Sequence, residues 1–375
     1  MRSHGEGTIT QRKDGRWQAQ ISIGGGKRKT FYGKTRKEVR EKLRVAINEQ
    51  KAGTLILAPN QTLEVYLTYW LEKVAKLTIR PRSYEQYLSV LNAHLIPGLG
   101  KIELQKLTFQ QVQDFYARLY EEGLAARSIN AIHAVLRRAL NHAVKHSLVA
   151  RNVATFASRP TARRYKPQVL TEEQANKLIE AVKGQRIEAF IILALTTAAR
   201  RSELLALHWD DIDFTLKAMR IERSLTHSKG RGVYEGETKT EASRRTILLA
   251  DIAIDVLQEH HVKQNELRLE RLESGETWID KGLVFCGAEG DYLAFETVRR
   301  LFSAALRDAS LPHIRLHDLR HSAATLLLVK GVHPKVVQEL LGHSNISMTM
   351  DVYSHVLPSM QQVVTEKMND VFKRP

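Results

Sequence analysis

The sequence predicts a multidomain chain in three parts: a small α+β unit of sheet plus helix at 1–55, an all-α unit at 60–155, and a mainly α unit with a small antiparallel sheet at 165–375. Three observations predict it. A chain of 375 residues exceeds what one hydrophobic core usually organises. The apolar pattern starts with the strand period and turns to the helix period. Two proline-bearing segments, one at Pro59 and one from Ser158 to Pro167, separate the parts.

In the first part Trp17, Ala19, Ile21 and Ile23 share one face of an alternating run, and Asp14-Gly15 and Gly24-Gly25-Gly26 supply turns. Thr8 to Tyr32 therefore reads as a three-stranded meander. A helix follows from Arg36 to Gln50 with Val39, Leu43, Ala46 and Ile47 on one stripe. In the second part amphipathic stretches near 62–76, 82–94, 109–122 and 128–146 predict helices. Thr108 and Gln111 have capping-box spacing, and Gly123 stops the helix they begin. The third part opens on another capping box, Thr171 with Gln174, and continues as helices with short strands near 217–223, 243–249 and 283–286.

Charge narrows the partner. Lys and Arg number 57 against 41 Asp and Glu, a formal net charge of +16. Basic surfaces release counterions when they meet phosphate backbones, so nucleic acid is the first expectation, although ribosomal and membrane-surface proteins share such balances. Through Lys51 there are 14 basic residues against 5 acidic, a net of +9, so the small first unit carries over half the charge. There Arg16 and the run Lys27-Arg28-Lys29 are candidates for DNA-phosphate contact, as are Arg163 and Arg164 in the second linker. The single cysteine, Cys286, excludes an internal disulfide and a multi-cysteine zinc site, and its apolar run Leu283–Cys286 reads as a buried strand. The apolar stretch from Ala189 to Ala199 is too short to cross a bilayer and no secretion signal opens the chain, so a cytoplasmic location is expected.

Four segments of the third part hold basic or nucleophilic side chains where core packing would not demand them: TTAARRSELLALHW at 196–209, KTEASRRTILL at 239–249, HDLRHSAATLLL at 317–328 and LGHSNISMTMDVYSHV at 341–356. His317 and Arg320 are three apart and share a helix face, while Leu319, Ala323, Leu326 and Leu327 favour the core. Pro334 suits a first helical turn and Gly342 the position just past that helix, which sets His343 on the following turn. Asn345 or Ser347 then starts the helix carrying Tyr353.

The order Arg, Lys, His-x-x-Arg, Gly-His and Tyr, with ten residues from His343 to Tyr353, resembles the tyrosine recombinase and phage integrase family across the whole third part. More weakly, 62–154 is similar to the family's helical core-site-binding domain and 1–51 to the arm-site-binding sheet domain of mobile-element integrases. The resemblance implies that Arg200 and Arg320 hold the scissile phosphate, His317 handles protons and Lys239 protonates the departing 5′ oxygen. It also implies that His343 adds a phosphate hydrogen bond and that Tyr353 is the nucleophile. The partners it implies are double-stranded DNA at core and arm sites, a homotetramer on DNA, and accessory DNA-bending or excision factors; no cofactor, metal or nucleotide is expected. Residue chemistry agrees: guanidinium forks match the oxygens of a phosphate under attack. A phenol ionising near pH 10 needs neighbouring cations and a base.

One departure stands out: many relatives have glycine and a large apolar residue before the first arginine, where this chain has Ala198-Ala199. A turn there with positive φ would cost alanine roughly 1 kcal/mol or more. Arg201 is the rival to Arg200, and Lys229 the rival to Lys239. His317 and His321 have metal-ligand spacing, but no glutamate lies between them and Arg320 would repel a cation. Asp210, Asp211 and Asp213 follow Trp209 at an apparent turn, where turn chemistry is expected rather than a two-metal nuclease. The charged run from Glu259 to Glu273, with His260 and His261, reads as an exposed helix face. A type IB-like topoisomerase and a non-catalytic DNA-binding regulator are the competing functions. The complete residue set argues against the regulator, and the separate basic first unit favours an integrase.

Overall fold

The computed structural model describes residues 7–23, 28–51, 60–162, 165–230, 232–237, 244–343, 345–347, 350, 368–369 and 372. The chain divides into two compact units, Met1–Arg164 and Tyr165–Pro375.

The first unit opens on the expected meander, with β1 at Thr8–Gln11, β2 at Trp17–Ser22 and β3 at Arg28–Gly33, all antiparallel. Gly15 takes φ +80° in the first turn, a conformation glycine adopts without steric cost. Helix α1, Arg36–Lys51, buries Val39, Leu43 and Ala46 against Ala19 and Ile21. The glycine turn at 24–26 and the linker with Pro59 lie outside the described residues.

The helical part of this unit holds α2 (Leu63–Trp70), α3 (Lys76–Thr78), α4 (Pro81–Val90), α5 (Ile96–Leu99), α6 (Phe109–Glu121) and α7 (Ala126–Lys145). The helices expected near 62–76 and 82–94 each contain a π-helical turn, Leu71–Ala75 and Leu91–Leu95, which the apolar pattern does not reveal. The Thr108 capping box forms, and Gly123 at φ +87° ends α6. The core is continuous, from Leu63, Tyr66 and Trp70 through Phe115 and Tyr116 to Ile129, Leu136 and Leu140. Ser158 donates its backbone N–H to Gln113 at 2.7 Å, so the second linker starts tied to α6.

The second unit starts with α8 (Glu172–Ala181), whose Thr171–Gln174 capping box forms, followed by α9 (Glu188–Thr197) and α10 (Arg201–Leu204). Strands β4 (Ile212–Asp213), β5 (Ala218–Ile221) and β8 (Arg245–Leu248) make an antiparallel sheet in the order β4-β5-β8. Strands β6 (Arg223–Ser228) and β7 (Gly232–Glu237) form a separate hairpin. Helices α11 (Asp251–Glu273), α12 (Phe295–Asp308), α13 (Asp318–Val329) and α14 (Pro334–Leu341) complete it. Helix α9 is apolar on every side because α8, α11 and α13 pack around it.

Three expectations need correction. Leu283–Cys286 is not a strand: the run is buried, but it is held by isolated bridges, His208 to Leu283 and Cys286 to Tyr292. The β6–β7 hairpin went unexpected because its alternating residues are mostly polar. His260 and His261 do not lie on a solvated face; His260 bonds the Val284 carbonyl at 2.8 Å and the His261 ring lies 4.3 Å from Trp209. The aspartates behave as turn chemistry: Asp211 accepts from the His208 backbone N–H and Arg223, and Asp213 from the Leu216 N–H. Among the described residues no group of three or more metal-ligating side chains occurs, and no helix is long and apolar enough to cross a membrane.

Candidate functional site

The site is built on the C-terminal end of α14. Helix ends leave backbone carbonyls without partners inside the helix, and they form the negative pole of its dipole. Here three consecutive carbonyls each receive an arginine. Leu340 O accepts from Arg245 Nε at 2.7 Å, Leu341 O from Arg320 Nη2, and Gly342 O from Arg200 Nη2 at 3.3 Å. The sequence shapes this end: Pro334 occupies the first turn of α14, and Gly342 leaves it at φ +58°. Gln338 reaches past the turn to the His343 carbonyl at 2.6 Å, which fixes His343 beside the row.

Each arginine comes from a different element. Arg200 caps α10 after a turn in which Ala198 sits at φ +50°, the strained conformation that the alanine pair suggested. Arg320, only 3% exposed, donates Nη1 to the Ala198 carbonyl at 2.7 Å, so one guanidinium holds both that turn and the α14 end. Arg245 is the first residue of β8. Glu203 lies buried between two of them, with Oε1 at 2.6 Å from Arg200 Nη1 and Oε2 at 3.0 Å from Arg245 Nη2. Burial pushes the Glu203 carboxyl up, but Arg245 and Arg200 outweigh it and hold it below the ordinary glutamate value. Among the described residues of this cluster, three guanidinium charges stand against one carboxylate, a net of about two positive charges.

His317 precedes α13 in the N-cap position, and its ring meets that of His321 edge-on at 5.1 Å. The turn is locked by Asp318, which is fully buried and accepts from Arg315 Nη2 at 2.9 Å and the Tyr165 hydroxyl at 2.8 Å. Below it Ser322 donates to the Asp318 carbonyl and accepts from the Leu170 N–H. Burial, then the cations Arg320 and Arg200, push His343 down to about 4. Surrounding protein, then His321 and Arg320, push His317 in the same direction. His317 keeps a solvent-exposed side, which screens part of that effect. Both imidazoles are therefore neutral at pH 7, able to accept a proton or to donate an N–H.

The rivals separate. Arg201 points elsewhere, its guanidinium 4.6 Å over the Phe295 ring, whereas Arg200 faces the α14 end. Lys229 is at the tip of the β6–β7 hairpin. Lys239 and Tyr353 lie outside the described residues, as do Lys27, Arg163 and Arg164. Of the remaining DNA-contact candidates, Arg16 pairs with Asp14 at 3.0 Å, Arg28 begins β3, and Lys29 lies over Phe31 at 5.6 Å. Asn345 Oδ1 accepts from the Ser347 backbone N–H at 2.9 Å, the bond a helix-starting asparagine makes, and most of the helix expected to carry Tyr353 lies outside the described residues. Neither Arg245 nor Glu203 is among the residues expected from the sequence. The i,i+3 spacing of Arg200 and Glu203 was the available signal; nothing local marks the Leu340 carbonyl as the partner of Arg245.

Depressed histidines have a consequence for stability. Burial, then Arg159 and Arg137, also push His133 down to about 4, where its ring meets the Tyr116 hydroxyl. An unfolded histidine protonates near 6.5, so between about pH 6.5 and 4 the unfolded chain binds more protons and stability rises with pH. That stability is complete above about pH 7 and is lost as pH falls through the window. We expect Tm to drop by several degrees from pH 7 to pH 5, on the order of 1 kcal/mol per enclosed histidine. A scanning-calorimetry series with flat Tm over that range would contradict these shifts.

Comparison with known proteins agrees with the geometry. The phage integrase family model matches residues 168–360, and the model of the phage integrase N-terminal SAM-like domain matches residues 62–120. An integrase of Streptomyces ambofaciens is 34% identical over 100% of this chain and 98% of its own. A tyrosine recombinase XerC-like protein of Caldanaerobacter subterraneus subsp. tengcongensis is 31% identical over 92% of each chain. Among solved structures, the Tn1549 transposon integrase in complex with a circular intermediate DNA superimposes with TM-score 0.66 at 20% identity, over 80% of this chain and 99% of that one. A lambda integrase tetramer bound to a Holliday junction does so with TM-score 0.57 at 19% identity, over 94% and 96%. An arginine row at a helix end beside a glycine–histidine turn, matches across both units and relatives alike over nearly the whole length lead to one assignment: the chain belongs to the phage integrase family of tyrosine site-specific recombinases.

Proposed function

We propose that this recombinase cuts and rejoins DNA through Tyr353, integrating or excising a mobile element. The Tyr353 oxygen attacks the scissile phosphorus while the bond to the 5′ oxygen breaks, leaving a 3′-phosphotyrosyl link and a 5′ hydroxyl. His317 takes the phenol proton, and Lys239 protonates the 5′ oxygen. Arg200 and Arg320 hold the non-bridging oxygens, with His343 adding a hydrogen bond. The linkage conserves the bond energy, so a 5′ hydroxyl of a partner strand can reverse the step without a nucleotide. Core sites are held by 60–155 and the catalytic unit 165–375, and arm sites by 1–55, on a homotetramer with accessory bending or excision factors.

The observation that carries this reading is the arginine row. It sets two guanidiniums on adjacent carbonyls beside His343, ten residues before Tyr353. Fixed cations already aimed at a developing phosphate charge do the work for which other nucleases recruit a metal. On a nicked suicide duplex carrying the crossover sequence read from the genomic junctions beside the encoding gene, we expect a covalent adduct in excess EDTA. Peptide mapping should place the 3′ phosphate on Tyr353. A strict magnesium requirement, or a 5′-linked adduct, would refute the mechanism.

A further inference from the structure

Arg200 has a difficulty. Its guanidinium is ion-paired to Glu203 at 2.6 Å, and a cation paired to a buried carboxylate presents little net charge to a phosphate. Arg245 changes that balance. Its side chain is 9% exposed, it reaches the other oxygen of Glu203 at 3.0 Å, and its Nε is fixed on the Leu340 carbonyl. Glu203 thus divides its charge between two guanidiniums while also accepting the Arg200 backbone N–H at 2.9 Å.

We propose that Arg245 is a positioning residue for Arg200: by sharing the Glu203 carboxylate it leaves Arg200 net positive and oriented towards the scissile phosphate. The inference rests on the phosphate-holding role assigned to Arg200. Arg245 itself need not touch DNA. A simple packing role for Arg245 would make its loss indifferent to substrate charge, whereas a charge-sharing role ties that loss to the phosphate and to Glu203.

Single-turnover cleavage of the nicked crossover duplex separates these, with either a phosphodiester or an uncharged methylphosphonate at the scissile position. Arg245→Met and Arg200→Met should each lose roughly tenfold or more on the phosphodiester and distinctly less on the methylphosphonate. Arg245→Lys, which keeps the charge, should recover most of the rate. Adding Glu203→Gln to Arg245→Met should speed cleavage relative to Arg245→Met alone, because it removes the charge left uncompensated. Melting curves and band-shift binding verify folding, and the lysine and double variants carry the test if Arg245→Met is unstable. Equal losses on both substrates for Arg245→Met, a lysine variant as slow on the phosphodiester as the methionine one, or a double variant slower still, would overturn the inference while a substrate-selective Arg200→Met left the Arg200 role intact. An Arg200→Met loss indifferent to substrate would overturn both.

Discussion

Replacing Arg320 by alanine is expected to lower single-turnover cleavage by at least about a hundredfold and to destabilise the second unit. Both effects have one cause. The guanidinium is buried and donates to the carbonyls of Ala198 and Leu341. Removing it leaves two enclosed acceptors without those donors, at roughly 1–3 kcal/mol each. It also frees the Ala198 turn, whose positive φ already costs on the order of 1 kcal/mol. The catalytic part of the loss follows from withdrawing one fixed donor from a developing oxyanion, which costs about 10²–10³ in rate in comparable sites. Arg320→Lys should regain part of the rate but little stability, because a single ammonium does not reproduce the fork across two backbones. Differential scanning fluorimetry with quench-flow cleavage at saturating DNA checks both. An alanine variant with wild-type Tm and rate would contradict the role of Arg320 as keystone and phosphate ligand.

Tyr353→Phe is expected to have a larger and cleaner effect: no covalent adduct above background, with binding to the crossover duplex nearly unchanged. The hydroxyl is the nucleophile in the proposed reaction but adds little contact area, and phenylalanine keeps the ring. Band shifts and denaturing gels on the suicide duplex report the two properties separately. Persistent adducts with the phenylalanine variant would exclude Tyr353.

How far the sequence reaches can be judged from particular residues. Capping boxes at Thr108 and Thr171, the Gly342 stop and the helices of the first unit were legible because local hydrogen bonding and the 3.6-residue period decide them. The β6–β7 hairpin was hidden, since polar alternation carries no burial signal. Leu283–Cys286 misled for the converse reason: apolar continuity reports burial, not pairing. At the site the i,i+3 spacing of His317 and Arg320 was legible but not the outcome: His317 takes the exposed N-cap of α13 while Arg320 is buried within the helix, so the two do not share a helix face; Ala198 announced a strained turn. Arg245 was not legible, because its partners are a carboxylate 42 residues away and a backbone carbonyl 95 residues away. Backbone carbonyls leave no mark on a sequence. Arg200 was preferred over Arg201 already in the sequence; what three dimensions add is that Arg201 turns over Phe295 while the N-cap Arg200 faces the α14 end.

Strand exchange between two duplexes can be followed on native gels after mixing the protein with its two junction-derived sites. A tyrosine-linked 3′ phosphate leaves a free 5′ hydroxyl, which attacks a partner strand only when an assembly holds two duplexes together and raises its effective concentration. Four-way junctions should appear first and resolve into reciprocal recombinants. Relaxation of plasmids lacking either site, with no junctions or recombinants from the paired sites, would contradict it.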